Sequence, residues 1–374
     1  MASFTVGTDA ELADAIKKAA GGDTIYLKPV TFKALQVSSD LGGVLISGNM
    51  PVNSLAPPKR PQIKSLKLSG AKGIFISGVD FVQDVAAGTP TFVSLFQIAK
   101  SGDIIIDNCR FVGQNAFGLG TYEDGYGSGT ALAIKDSSRV TIRQNDFSTF
   151  ARMIACSTSV DVAVESNALR DMSVDAMEFA QVNSIYIGHN DFRSPRRSPA
   201  SPAHPDMIQF WTTGTTAPST DIEITGNNIF VTPDTLGTQS IFMRNELVDT
   251  GRAGPEMYYR NVRITDNIIV NGSSHGITLG EADGVTITGN VLMNMAPMKK
   301  FVECPRINMK AVSKNVTITG NIQPVLPLAP ISLAWTVKDN LILQREDATK
   351  PNYYGAVLKD PFNPVFAREN FARL

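Results

Sequence analysis

Cysteine, histidine and tryptophan are scarce in this 374-residue chain, which has three, three and two of them. The cysteines (Cys109, Cys156, Cys304) are odd in number and far apart, so they do not spell the disulfide framework of a small secreted domain. Buried free thiols are the expectation for Cys109 and Cys156. Charge of one sign is also lacking. The formal net charge is −1, which gives no bulk attraction to nucleic acid or to a membrane surface. No run approaches 18 apolar residues, and Met1-Ala2-Ser3-Phe4 opens without a charged and apolar leader. The chain as written therefore reads as soluble, cytoplasmic or virion-associated unless a leader has been removed. Charged residues make up only 18% and apolar ones 43%, the balance expected of stacked buried strands joined by short polar turns.

A repeated phrase is what the sequence does have. Asp221 to Ile229 (Asp-Ile-Glu-Ile-Thr-Gly-Asn-Asn-Ile) reads as a strand followed by a sharp turn containing Asn227. Equivalent stretches end on Asn145, Asn167, Asn190, Asn267, Asn290, Asn321 and Asn340, while two earlier copies carry Val79 and Cys109 in the Asn slot. Asn spacings of 22, 23 and 23 residues suit one coil of a parallel β-helix; spacings of 36, 37 and 40 are coils with inserted loops. Asn amides stacked at one turn can pair their spare donors and acceptors with the coils on either side. A β-sandwich of hairpins fits less well, because hairpin turns join antiparallel neighbours without fixed long periods.

Thr8 to Ala20 reads as an amphipathic helix with Thr8 or Asp9 as N-cap, an apolar stripe of Leu12, Ala15, Ile16 and Ala19, and Gly21-Gly22 as its stop. Such a helix caps the open end of a solenoid, and Asp23 to Leu27 then starts the first strand. Residues 48–62 hold Pro51, Pro57, Pro58 and Pro61 and read as a loop. A second excursion holds Pro195, Pro199, Pro202 and Pro205 with Arg193, Arg196 and Arg197. The organisation expected is a cap and first strand over 1–30, an all-β parallel β-helix over 31–344, and an irregular C-terminal tail over 345–374. The tail (Pro351, Tyr353, Tyr354, Pro361, Phe362, Pro364, Phe366) covers the far end or contacts a neighbouring chain, which leaves a homotrimer open.

Strands between the Asn turns can be overlaid. Leu132, Ile154, Met177, Ile208, Ile241, Ile277 and Ile307 form one inward column, and Ile134, Cys156, Phe179, Phe210, Met243, Leu279 and Met309 a second. Outward columns follow: Ala133, Ala155, Glu178, Gln209, Phe242, Thr278 and Asn308, then Lys135, Ser157, Ala180, Trp211, Arg244, Gly280 and Lys310. The residues at the strand starts are Thr130, Arg152, Asp175, Asp206, Gln239, His275 and Pro305. With coils about 4.8 Å apart, Arg152, Asp175, Glu178, Asp206, Gln209, Trp211, Arg244 and His275 are expected to form one outward patch. Loops 113–129, 193–205 and 245–260 border the same coils as candidate groove walls.

The repeat, the capping helix and this patch resemble the pectate-lyase-like right-handed parallel β-helix superfamily of polygalacturonases, polysaccharide lyases, alginate epimerases and phage tailspike depolymerases. The resemblance covers nearly the whole chain for the fold; its motif, Ala203-His204-Pro205-Asp206-Met207-Ile208-Gln209-Phe210-Trp211, is short. It implies a polysaccharide lying across this face. Ser274-His275-Gly276-Ile277 and Arg306-Ile307-Asn308-Met309-Lys310 look like the His-Gly and Arg-x-Lys motifs of polygalacturonases, and Asp206 matches their first catalytic Asp. Gln239-Ser240 stands where their paired Asp is expected. Asp175-x-x-Glu178 with Asp206 is closer in kind to the three-carboxylate sites of tailspike glycosidases.

Glycoside hydrolysis needs an acid and a base or nucleophile, which makes Asp206, Asp175 and Glu178 the candidate catalytic set. Two close carboxylates cannot both ionise freely, so one keeps its proton. Trp211, Gln209, Arg244, Arg152, His204, His275 and Lys310 are the candidate substrate-binding residues: Trp211 as a sugar platform, His204 and His275 as proton shuttles, Arg244 and Arg152 as partners of acidic sugars or of Asp175 and Glu178. A uronate lyase or C5-epimerase with Arg244, Lys310 or His275 as base, and a non-catalytic glycan-binding β-helix, are the alternatives. No cofactor or metal is expected, calcium at Glu123 and Asp124 being the one weak candidate.

Overall fold

The structure, a computed structural model, describes residues 1–48, 59–202, 204–231, 237–294, 304–324, 332–344 and 347–353. The expectations for Pro51, Pro57, Pro58, Ala203 and most of the tail, including Tyr354, Pro361, Phe362, Pro364 and Phe366, lie outside those residues. The described chain divides into two compact units: Met1–Ser173 with Arg196–Pro202, and Val174–Pro195 with Ala203–Leu374.

Each unit is a stack of coils with three parallel strands per coil, so successive coils pair into three sheets. In the N-terminal unit Ser138–Arg143 pairs in parallel with Gly102–Asp107 and Val160–Glu165, and Arg110–Val112 pairs with Asp80–Val82 and Asp146–Ser148. The one antiparallel pair among the described residues is Gln114–Asn115 with Gly127–Ser128, inside an inserted loop. In the C-terminal unit Met177–Ala180, Asp206–Phe210, Gln239–Met243, His275–Leu279 and Arg306–Met309 form one wall, in that order. Both inward columns hold. Ile208, Ile241, Ile277 and Ile307 are register partners, as are Phe210, Met243, Leu279 and Met309, and all are buried. Burying one such side chain is worth about 1.5–3 kcal/mol. In the N-terminal unit the rings of Phe81, Phe111 and Phe147 stack coil on coil, with centroids 4.7 and 4.5 Å apart.

The Asn column is continuous within each unit. Asn227 donates its main-chain N–H (3.0 Å) and one amide hydrogen (2.9 Å) to Asn267 Oδ1, and its other amide hydrogen to Ile187 O (2.9 Å). Asn190, Asn267, Asn290 and Asn321 pass the same pattern along to Asn340, and in the N-terminal unit Cys109 and Asn145 pass it to Asn167. The residue before each column member (Asn108, Gln144, Ser166, His189, Gly226, Asp266, Gly289, Gly320 and Asp339) sits at positive φ, between +49° and +69°. One left-handed residue bends the chain there, which is why Gly and Asp recur at that slot.

The helix is Asp9–Lys18, with Thr8 Oγ1 accepting from Glu11 N–H at 3.2 Å and Leu12 and Ala15 buried. One expectation is corrected here: the first strand is not Asp23–Leu27. Ser3–Val6 precedes the helix and pairs in parallel with Thr24–Leu27, Phe4 opposite Ile25. Alternation in Phe4 and Val6 alone is too short a signal to reveal a strand. No helix among the described residues is long and apolar enough to cross a membrane.

Candidate functional site

Within the C-terminal unit, the outward face of the five-stranded wall carries Glu178, Gln209, Phe242, Thr278 and Asn308 in a single file of register partners, each half-buried. The strand starts do not face outward as expected. Asp206 is 0% exposed and Asp175 5%. Asp206 and its neighbour Met207 are both buried, so the alternation that governs residues 208–210 is lost at the beginning of the strand. A second correction concerns Pro305. The register shifts between His275 and Ile277, and the partner of His275 is Arg306.

Among the described residues no lysine or arginine pairs with Asp206. Its main-chain N–H donates to Asp175 Oδ1 (2.8 Å), and Gln209 Nε2 donates to its Oδ2 (2.8 Å). His204 Nδ1 lies 3.8 Å from the same Oδ2, a charge contact rather than a hydrogen bond. Oδ1 meets no donor among the described residues, and Gln239 Oε1, on the register partner of Asp206 in the next strand, is likewise buried without a donor. Burial pushes the Asp206 carboxyl above the usual carboxylate range, although His204 and Gln209 favour its ionised form. The nearby Asp206 carboxyl in turn raises the His204 imidazole above its ordinary value. The His204 side chain is 59% exposed. A covered carboxyl thus lies behind an imidazole that reaches solvent.

The expected cationic residues are spoken for. Asp249, on the short helix Glu246–Asp249, accepts from Arg244 Nε (3.0 Å) and Lys310 Nζ (2.5 Å), and Glu281 Oε1 lies 3.8 Å from Lys310. Hydrogen bonding to Asp249 raises the Lys310 ammonium above its usual value. The loop itself is fixed: Thr212 N–H donates to Glu246 Oε2 (2.7 Å), Asn245 Nδ2 to Met257 O (2.8 Å), and the buried Tyr259 hydroxyl to Arg244 O (2.7 Å). Trp211 is half-buried, and its main-chain N–H donates to Phe179 O (3.1 Å). His275 Nδ1 is 3.0 Å from Thr278 Oγ1, which also accepts from Asn308 Nδ2 (3.1 Å). Arg152 belongs to the strand Arg152–Ser157 of the N-terminal unit.

The calcium candidates bond their own surroundings. Asp124 accepts from Leu119 and Gly120 N–H groups (3.1 and 2.9 Å), and Glu123 Oε1 from Thr91 Oγ1 (2.9 Å). Among the described residues no group of three or more His, Cys, Asp or Glu is placed to hold a metal ion. Two residues were missed by sequence reasoning. Asp249 lies in a loop without periodic signal. Phe242 stood in the outward column but is apolar, and its ring lies between those of His204 and His275.

Residues 66–229 match a family model described as right handed beta helix region. No curated protein matches the sequence. Among solved structures, the surface adhesin PfbA of Streptococcus pneumoniae is similar, with 13% identity and a TM-score of 0.57 over 89% of this chain and 88% of that one. The Dettilon tailspike protein gives 13% identity and a TM-score of 0.47 over 89% and 66%. A periplasmic alginate epimerase gives 11% and 0.47 over 91% and 84%. With parallel coils in both units and that match over residues 66–229, the chain has the right-handed parallel β-helix fold.

Proposed function

We propose that this protein hydrolyses glycosidic bonds in a polysaccharide laid along the outward face of the C-terminal wall. One observation carries the reading: Asp206 is fully covered, paired with no lysine or arginine among the described residues, and set behind the solvent-reaching His204. A carboxyl so placed favours its neutral form, with the proton on Oδ2, the oxygen that faces His204. Asp206 then acts as the acid of the pair. Its proton passes to His204 and from the imidazolium to the leaving glycosidic oxygen as the C–O bond breaks. Glu178, one strand earlier on the outward face, is the candidate base: it takes a proton from water while the hydroxide adds to the anomeric carbon. Asp175 has a positioning role, holding the start of the Asp206 strand by its main-chain N–H.

Elimination has less support. It needs a base at C5 and a cation on the substrate carboxylate, yet Arg244 and Lys310 are engaged by Asp249 and Lys310 is held protonated, which leaves His275 as its candidate base. The test is a panel of neutral and acidic polysaccharides read for new reducing ends and for ultraviolet absorbance of unsaturated uronates. Reducing ends without absorbance are expected. Asp206→Asn and His204→Ala should each lower kcat by about 10²–10⁴-fold with oligosaccharide binding retained. Absorbing product would mean a lyase, and no turnover on any glycan would remove the enzymatic reading.

A further inference from the structure

Phe242 is the only apolar member of the outward file, between Gln209 on one strand and Thr278 on the next. Its ring is bracketed by two imidazoles. The centroids of Phe242 and His204 are 6.1 Å apart at an interplanar angle of 64°, and those of Phe242 and His275 are 5.3 Å apart at 89°. The three rings come from three successive coils, so they run along the stack with hydrogen-bonding side chains beside them: Gln209, Thr278 and Asn308. Neither imidazole lies parallel to the Phe242 ring, so neither is stacked face to face on it. An aromatic ring on a rigid strand, with amide and hydroxyl groups one coil away on each side, suits the apolar C–H face of a pyranose whose hydroxyls reach those groups.

Charge narrows the class further. Arg244 and Lys310, the cations of this wall's outer column, are both paired with Asp249, and Glu281 lies 3.8 Å from Lys310, so a sugar carboxylate would find its place already taken by protein carboxylates. We infer that Phe242, walled by His204 and His275, is the sugar-stacking subsite of this face and that the residue it receives belongs to an uncharged glycan. The inference rests on reading this face as glycan-binding, but not on any catalytic role.

Binding to the catalytically disabled Asp206→Asn protein separates the two. Calorimetry with neutral probes (xylo-, cello-, galacto- and chito-oligosaccharides) and acidic probes (oligogalacturonate and oligoalginate) measures each affinity. Expected is binding of at least one neutral series and none of the acidic ones. Adding Phe242→Ala should weaken it tenfold or more, adding Phe242→Tyr should preserve it within about threefold, and Trp211→Ala should matter less than Phe242→Ala. The unfolding temperature of each variant is measured alongside, and Phe242→Tyr keeps the test valid where Phe242→Ala perturbs packing. Preference for the acidic probes, unchanged affinity in Phe242→Ala, or binding to none of the probes would overturn the inference. Should Asp206→Asn retain turnover while Phe242→Ala loses binding, the hydrolytic reading fails and the subsite stands.

Discussion

The two units solve the same problem, carboxylates on a stacked-strand surface, in different ways. In the N-terminal unit the coils are clamped by arginines: Arg143 Nε meets Asp107 (2.9 Å), Arg170 grips Asp146 through both guanidinium nitrogens (2.5 and 2.9 Å), and Arg110 does the same to the buried Asp80. In the C-terminal unit Asp249 and Asp191 keep cationic partners, but amides serve several other carboxylates. Asn261 Nδ2 donates to Asp221 (2.8 Å), Asn315 Nδ2 to Asp283 (2.7 Å), and Gln209 to Asp206. An arginine fixes a carboxylate in its charged form. An amide leaves the proton negotiable, and when the carboxyl is also covered, as Asp206 is, burial tips it toward the neutral acid. The difference suggests where to look for the proposed chemistry: a carboxylate clamped by an arginine is committed to its charged form, whereas a covered carboxyl that accepts from an amide is not.

Three substitutions sharpen that comparison. The largest effect on stability should come from the ladder that both units share. Asn227→Ala leaves the Asn190 main-chain N–H, the Asn190 amide and Ile187 O without their partner, at about 1–3 kcal/mol for each buried group, and chemical denaturation should show a loss of about 3 kcal/mol or more. A smaller loss would mean that backbone pairing alone holds the coils. Next comes pH. The folded-state pKa of Asp206 is raised, so its contribution to stability is complete below the unfolded value of about 4 and is lost as pH rises through the folded value. The unfolding temperature of the wild-type protein should therefore decline over that range relative to Asp206→Asn, whose amide cannot ionise; parallel profiles would contradict it. The smallest effect belongs to the arginine clamps at the surface. Arg143→Gln should cost less than about 1 kcal/mol, since the guanidinium is partly exposed and screened.

Much of the fold was legible because it is repetitive. Asn145 to Asn340 mark every turn, and seven overlaid strands leave little freedom in which of Ile208 or Gln209 points inward. The site was legible only in part, because it lies where repetition stops. Asp206 and Asp175 stand at strand starts, where loops rather than period two decide exposure, and so they are covered rather than displayed. The bulge after His275 moved Arg306 into the slot read as Pro305's. Asp249 could not be foreseen as the partner of Arg244 and Lys310, since it lies 61 residues from Lys310 in a loop. The buried thiols were foreseen correctly: Cys109 and Cys156 are enclosed, and burial pushes both up to about 12.

The central claim is that Asp206 keeps its proton behind His204. Carbon-13 NMR of the labelled carboxyl carbons, with Asp206 assigned by its disappearance in Asp206→Asn, reads that directly and without any substrate. The account predicts a carboxyl that titrates clearly above the ordinary carboxylate range, accompanied by a His204 imidazole titrating above its own usual value. An Asp206 signal that is already ionised at or below the ordinary carboxylate value would contradict it.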